Sequence, residues 1–289
     1  MREYVIVTDS CCDFPPKLVQ DLGVTVIPLS VQLGNDRFHN TPEEAPDSHV
    51  FYTRLSQGEP AQTSAPNVEE FKDCFRPFLQ AGQDVLYLGF SSGLSGTYHN
   101  AAIAAEELRG EFPAAEIQTV DTLCASLGQG LLVDLAVQEQ RKGKTLQQVL
   151  AFVHETIPHL CHWFTVGDLS QLRRGGRLSA GKAIVGNLLN IKPVLHVDDE
   201  GHLVPMESTK GRKKSVQALL RHMEETAIDP EHQRVYISHG DCLADAQALA
   251  ELVRTRLNVS SVTIGDVGPV IGAHSGLGTL ALFFLGSKR

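Results

Sequence analysis

The sequence predicts an α/β chain in two parts: a mostly parallel sheet flanked by helices over residues 1–160, then an α+β part with a mixed or antiparallel sheet over residues 161–289. Three observations carry this. In the first half, short β-branched runs alternate with helical patterns, which implies strands joined by crossover helices. In the second half, two apolar runs flank Asp198-Asp199-Glu200-Gly201, a hairpin turn signal that implies antiparallel pairing. The length of 289 residues accommodates two medium domains.

The elements follow in order. Tyr4 to Thr8 reads as a buried strand, stopped by Asp9-Ser10 and by Pro15-Pro16. Lys17 to Leu22 is a short helix ended by Gly23, and Val24 to Leu33 is a second β-branched run. The polar, turn-rich stretch Gly34 to Pro46 reads as a loop, and Asp47 to Leu55 as one helix. Thr63-Ser64-Ala65-Pro66-Asn67 opens a helix that runs to Ala81, with Asn67 and Glu70 at capping-box spacing and Ser64 as a competing cap. Strands are expected at Asp84 to Phe90 and Glu116 to Val120, helices at Thr97 to Leu108, Cys124 to Lys142 and, capped by Thr145, Leu146 to Leu160.

From Trp163 the pattern changes. Ile191 to Val197 and His202 to Ser208 form the hairpin strands. Helices are expected at Lys213 to Glu225 and Leu243 to Leu257, with strands at Arg234 to Ser238 and Ser261 to Ile264. No internal repeat or low-complexity segment is visible.

Composition narrows the function classes. Hydrophobic residues make up 42% and charged residues 20%, the balance of an ordinary soluble globular protein. A net charge of -9 argues against a general nucleic-acid binder. The N-terminus is too short and too acidic for a signal peptide, and no run of about 18 apolar residues offers a membrane span. Six cysteines without a Cys-x-x-Cys pair fit free thiols in a reducing cytoplasm, with room for a few labile disulfides.

Four stretches carry candidate chemistry. In Val85–Asn100 an apolar strand ends in Ser91-Ser92-Gly93-Leu94-Ser95-Gly96-Thr97, where a helix begins. Free backbone N–H groups, the helix dipole and short hydroxyls converge there on a position suited to an anion. The ordinary alternative is that Ser95 only caps the helix. The loop is neither a P-loop, lacking Gly-Lys-Ser/Thr, nor a nucleophile elbow, since Gly93-Leu94-Ser95-Gly96-Thr97 lacks the final glycine of G-x-S-x-G. Thr63-Ser64 supplies a second pair of hydroxyls at a helix opening that faces the same crevice. Gly268 to Thr279 places His274 among residues that forbid regular helix or strand, so His274 is expected in a glycine-rich loop with a binding role.

The fourth is the run from Arg173 to Lys214, where nine lysines and arginines stand against four acids. Arg174 and Arg177 flank two glycines, and Arg212 lies in the later basic cluster. An anion-binding or acidic-partner surface and a merely solvated face are the two readings. Asp9, Asp13 and Asp121 sit at strand ends, as loop-orienting groups or as acids. His159, Cys161 and His162 lack the spacing of a zinc site.

Six motifs in order then suggest a relationship. They are Thr8-Asp9-Ser10, Thr63-Ser64-x-Pro66, Ser91-Ser92-Gly-Leu-Ser-Gly-Thr-Tyr98, Val120-Asp121-Thr122, Asp168-Leu-x-x-Leu-x-Arg174-Gly-Gly-Arg177-x-Ser179 and Gly272-x-His274-x-Gly-x-Gly278. The series resembles the DegV family of bacterial fatty-acid-binding proteins, from Val5 to Thr279. The resemblance implies two α/β domains with a long-chain fatty acid between them. It implies a carboxylate held by Thr63, Ser95 and His274, with the Gly96 N–H as a further donor. It implies a binding or carrier protein without a cofactor, not an enzyme. Some members carry the lipid for a bacterial fatty acid kinase whose separate ATP-binding subunit phosphorylates the carboxylate, and the basic surface of Arg174, Arg177 and Arg212 would then face that subunit. The chain departs from the family at Ala65 and Asn67, where glutamine and serine are common, and at Cys11-Cys12, where a small or polar pair is commoner.

Rival readings make different demands. A serine hydrolase or acyltransferase would use Ser95 as nucleophile and His274 as base, though no third group is obvious. A phosphorylated-metabolite binder would need a polar pocket at the same helix starts. A regulatory or structural protein would keep only a vestigial pocket.

Overall fold

The computed structural model describes residues 2–178 and 190–289; Ser179, the end of the arginine-rich motif, and Lys182 lie outside them. Strand β1 (Tyr4–Asp9) leads through a 3-10 turn at Ser10–Cys12 to α1 (Pro16–Leu22), which Gly23 ends in the left-handed region at φ 70°. Next come β2 (Thr25–Ile27), β3 (Ser30–Leu33), β4 (Asp36–His39), α2 (Ser48–Ser56) and β5 (Ala61–Ser64). After these the chain runs α3 (Val68–Gln80), β6 (Asp84–Gly89), α4 (Thr97–Glu111), β7 (Ile117–Asp121), α5 (Ser126–Arg141) and α6 (Leu146–Thr156).

Strands β2-β1-β6-β7 form a four-stranded sheet in which every pair is parallel. All six β6 residues are buried, as in a strand covered by helices on both faces. The capping box at Asn67 and Glu70 starts α3, so Asn67 wins over Ser64.

Three expectations for this half need correction. The run Val24 to Leu33 is two strands, because Pro28 cannot donate to a ladder and the chain turns there from the parallel sheet into a second one. The stretch expected as a loop contains β4, which pairs antiparallel with β3; its one buried residue, Phe38, is too little to show alternation in sequence. Thr63 and Ser64 do not open a helix. They end β5, the partner of β3 on its other side, with Val31 opposite Thr63.

The remaining elements are β8 (Leu160–Thr165), α7 (Ser170–Arg174), β9 (Ile191–Val197), β10 (Leu203–Lys210), α8 (Arg212–Thr226), β11 (Arg234–His239), α9 (Leu243–Leu257), β12 (Ser261–Asp266), α10 (Pro269–Ser275) and β13 (Leu280–Leu285). Strands β10-β9-β8-β13-β11-β12 form a mixed sheet: β11 and β12 run parallel and the other neighbours antiparallel. The hairpin between β9 and β10 turns at Asp198–Gly201, with the Gly201 N–H donating to the Asp198 carbonyl at 3.0 Å and φ +79° at the glycine.

Helix α5 packs against β1 and β6 of the parallel sheet and against β8, β11 and β13 of the mixed sheet. A helix enclosed on both sides needs close approach. Gly128 allows it, because a Cβ there would lie 2.2 Å from His162 Nε2 on β8. A helical glycine costs about 1 kcal/mol against alanine, and the contact it permits offsets that.

A candidate ligand site between the two sheets

One apolar cavity and one polar cavity adjoin in this fold. The apolar one is lined from the N-terminal side by Phe90, Leu94 and Ser95, from the mixed sheet by Phe164 and Phe283, and from α10 by Val270. Its atom-free space, mouth and adjoining solvent included, is about 760 Å³. The polar one is bounded by Glu59 and Gln62, by Gln171 and Arg174 of α7, and by the turn after it. Thr63, Arg177 and His274 line both.

The elements explain this convergence. His274 lies in the last turn of α10, not in an irregular loop; Pro269 starts the helix, and Gly276 at φ 82° stops it. The glycines that masked the helix in sequence mostly mark its ends. Helix α10 packs on β3 and β5, which brings His274 Nε2 within 2.9 Å of Thr63 Oγ1. Burial first, and then the nearby Arg177 guanidinium, lower the His274 pKa to about 4, so the imidazole is neutral near pH 7.

Arg177 donates from Nε to the Leu94 carbonyl at 3.2 Å and from Nη1 to the Gly175 carbonyl. The first bond ties it to the Ser/Gly loop, the second is local to its own turn, and Nη2 takes part in neither. Gly175 lies flat against the imidazole: a Cβ there would sit 2.5 Å from His274 Nδ1. The two glycines of the arginine-rich motif therefore do separate work. One lets the turn touch His274, and Gly176 takes the left-handed conformation at φ +67°.

The Ser/Gly loop divides its roles. Ser91 Oγ donates to the Gly201 carbonyl at 2.8 Å and joins the loop to the β9–β10 turn. Asp121 accepts from the Ser92 and Leu123 N–H groups, each at 3.1 Å, and Asp9 accepts from Phe90 N–H at 2.9 Å and Tyr87 O–H at 2.7 Å. Both acids thus orient the loop. Ser95 Oγ lies 2.8 Å from Thr97 Oγ1 and accepts from Thr97 N–H at 3.3 Å, so it meets the first N–H of α4, whose N-cap is Gly96, while also lining the apolar cavity. Gly96 is exposed and lines neither cavity, with no atom within 4 Å of where a Cβ would stand.

Among the described residues, then, Thr63, Ser95 and His274 all face the apolar cavity, and Arg177 joins them. Arg174 is exposed on the polar side. Arg212 lines neither cavity; its Nε pairs with Asp245 Oδ2 at 2.8 Å and its Nη2 meets Cys242 Sγ at 3.2 Å. Ser95 and His274 are each hydrogen-bonded to a threonine and not to one another, so they do not form the nucleophile–base pair that a hydrolase requires. Sequence reasoning overlooked Ser126, Ser238 and Ser275 on the cavity wall. Ser275 had a signal, since it follows His274 directly; Ser238 lies inside strand β11 and had none.

A family model described as an uncharacterised protein of the DegV family matches residues 3–287. A DegV domain-containing protein of Clostridium perfringens is 42% identical over 289 residues, spanning 100% of this chain and 99% of that protein. The chain belongs to the DegV family. Among solved structures, a DegV protein of Thermus thermophilus described by its fatty acid binding is similar at 32% identity and a TM-score of 0.87, over 99% of this chain and 100% of that one. A DegV lipid-binding protein of Thermotoga maritima is similar at 31% identity and a TM-score of 0.86, over 99% of each chain. The parallel N-terminal sheet and the mixed C-terminal sheet are thus the DegV architecture. Among the described residues no helix is long and apolar enough to cross a membrane, and all six cysteines are free.

Proposed function

We propose that this DegV-family protein binds a long-chain fatty acid without covalent attachment, tail in the apolar cavity and carboxylate at its boundary with the polar one. The observation that carries the reading is that Thr63, Arg177 and His274 belong to both cavities. The fatty-acid and lipid binding of the similar Thermus and Thermotoga proteins supports it. In this reading residues 1–160 and 161–289 act as two domains with the ligand between them.

Energetics favour it. About 14 methylenes at about 0.8 kcal/mol each give roughly 11 kcal/mol of gross transfer energy. Lost freedom removes several kcal/mol of that. The head group then needs only to be satisfied, because an unpaired buried carboxylate costs several kcal/mol. The Thr63 and Ser95 hydroxyls, the Gly96 N–H and the His274 imidazole supply neutral donors. Arg177 adds positive potential, yet two of its donors already serve carbonyls. That holds the carboxylate without the bidentate grip that would lock it as an anion.

A head group placed at a polar opening suits a second role, presentation of the carboxylate to a separate ATP-binding kinase subunit that converts it to an acyl phosphate. Arg174 and Arg177 are the cations on that side. The apolar lining disfavours a phosphorylated metabolite as the ligand.

Mass spectrometry of lipid extracted from the purified protein is the direct test. A stoichiometric long-chain acid is expected. An empty extract together with no saturable binding of palmitate or oleate refutes the reading. The presentation role predicts acyl hydroxamate on trapping with hydroxylamine when ATP and the kinase subunit are added, and none without them.

A further inference from the structure

The wall of the apolar cavity carries a second polar spot. Ser126 at the start of α5 and Ser238 on β11 are buried, and their hydroxyl oxygens lie 3.0 Å apart. Ser126 Oγ also lies 2.6 Å from Asp13 Oδ2. Ser275 Oγ, on a residue only 6% exposed, has no hydrogen-bond partner among the described residues. All three serines line the cavity. They come from three elements distant in sequence, so one helix end does not account for them.

Counting donors shows what is unused. A serine hydroxyl offers one donor and two acceptor positions. When the Asp13 carboxylate is ionised, Ser126 donates to it and Ser238 donates to Ser126, which leaves acceptor positions on Ser238. When Asp13 carries its proton on Oδ2, the chain reverses, and Ser238 has its own O–H to give. Burial pushes the Asp13 pKa up to about 8, so the protonated form is present near neutral pH. In either direction the chain ends at Ser238 with an unmet hydrogen-bonding position, and Ser275 has a full set. A wall lined only for methylenes would leave Ser275 dry, at a cost of about 1–3 kcal/mol for that unsatisfied hydroxyl.

We infer that Ser126, Ser238 and Ser275 receive an oxygen atom borne on the acyl chain, so that the protein prefers a hydroxy-substituted long-chain fatty acid to the unsubstituted acid of equal length. The inference rests on the fatty-acid reading above. A chain hydroxyl both donates and accepts, and so matches the serine chain in either direction. A site built to hydrogen-bond a hydroxyl discriminates against the analogue without it, because its own polar groups are then unpaired.

The experiment compares stearic acid with a series of hydroxystearic acids substituted at successive carbons, by competition against a fluorescent fatty acid on the full chain. Stearate binding with one position in the series bound about fivefold tighter is expected. In Ser238→Ala and in Ser275→Ala that advantage shrinks to within about twofold, while stearate affinity holds or improves. Two variants are used so that a folding defect in one leaves the other, with circular dichroism as the check. A series in which no hydroxy acid outbinds stearate overturns the inference and leaves the fatty-acid reading standing, as does an advantage undiminished in both variants. Failure of stearate and every hydroxy acid to bind overturns both.

Discussion

The two adjoining cavities share three residues and differ in almost everything else. On one side Phe90, Phe164, Phe283 and Val270 present hydrocarbon; on the other Glu59, Gln62, Gln171 and Arg174 present charge and amide. An apolar wall supplies affinity in proportion to area and says little about position. Directed donors supply position and little net affinity, because the ligand gives up water to meet them. The boundary separates these tasks, and the side chains common to both cavities fix where a head group stops. The variants below act in turn on the apolar side, on the boundary, on the polar side and behind the apolar wall.

The largest effect belongs to the apolar side. Ala281 is buried on that wall. Ala281→Phe fills space that the tail would occupy. Four methylenes kept in water forfeit about 0.8 kcal/mol each, a loss on the order of 100-fold in affinity. Co-purifying lipid is expected to vanish from a variant whose circular dichroism is unchanged. Retention of stoichiometric lipid would place the tail elsewhere.

The boundary comes next. Thr63→Val and His274→Ala each remove a donor while leaving the hydrocarbon wall intact, so affinity is expected to fall about tenfold, as for loss of one charge-assisted hydrogen bond. Gly175→Ala acts on the same group from outside, since the new Cβ would sit 2.5 Å from His274 Nδ1 and displace the ring. A loss of similar size in Gly175→Ala as in His274→Ala, read by calorimetry, shows that the turn positions the imidazole. Unchanged affinity in all three would remove the boundary from ligand binding.

Arg174 tests the polar side alone. It is exposed, and exposed charges contribute little to stability or to a ligand they do not touch. Arg174→Ala is expected to leave palmitate affinity within about twofold. Acyl-phosphate formation with a kinase subunit is expected to fall clearly, and the salt dependence of that reaction to flatten. Equal losses in binding and transfer would show that the two cavities are not functionally separate.

How much of this was legible in the sequence follows the range of each signal. The capping box at Asn67 and Glu70 and the αL stop at Gly23 are local, and both read correctly. Strand β4 is a short edge strand with one buried residue, so its pairing with β3 is a tertiary fact without a periodic trace. Helix α10 was hidden because Gly268, Gly272 and Gly276 suggest a breaker, whereas the outer two mark its ends and Gly272 packs beneath Tyr52. The site was legible as residue types, since hydroxyls, glycines and a histidine stood out of apolar surroundings. Its geometry was not. Thr63 meets His274 through a sheet that the sequence did not reveal, and Arg177 turned out to line both cavities while Arg212, from the same basic run, is paired with Asp245.

The smallest effect on binding and the clearest on stability come from Asp13, behind the apolar wall. Its pKa is pushed from an ordinary 3.8 up to about 8 by burial, against the opposing hydrogen bond from Ser126. Between those values the folded chain keeps a proton that the unfolded chain releases. Fewer protons bound in the unfolded state mean that stability falls as pH rises through this window, and that the contribution is fully present only below the unfolded value. Asp13→Asn has no proton to lose. The Tm of the variant minus that of the wild type is therefore expected to grow from pH 5 to pH 8, by about 2 °C for each kcal/mol involved, and to level off above. Palmitate affinity at pH 5, where the wild-type carboxyl is already neutral, is expected to match within about twofold. A difference in Tm that stays flat across this range would mean that water reaches Asp13, and that the wall behind the acyl chain is wetter than its hydrocarbon lining implies.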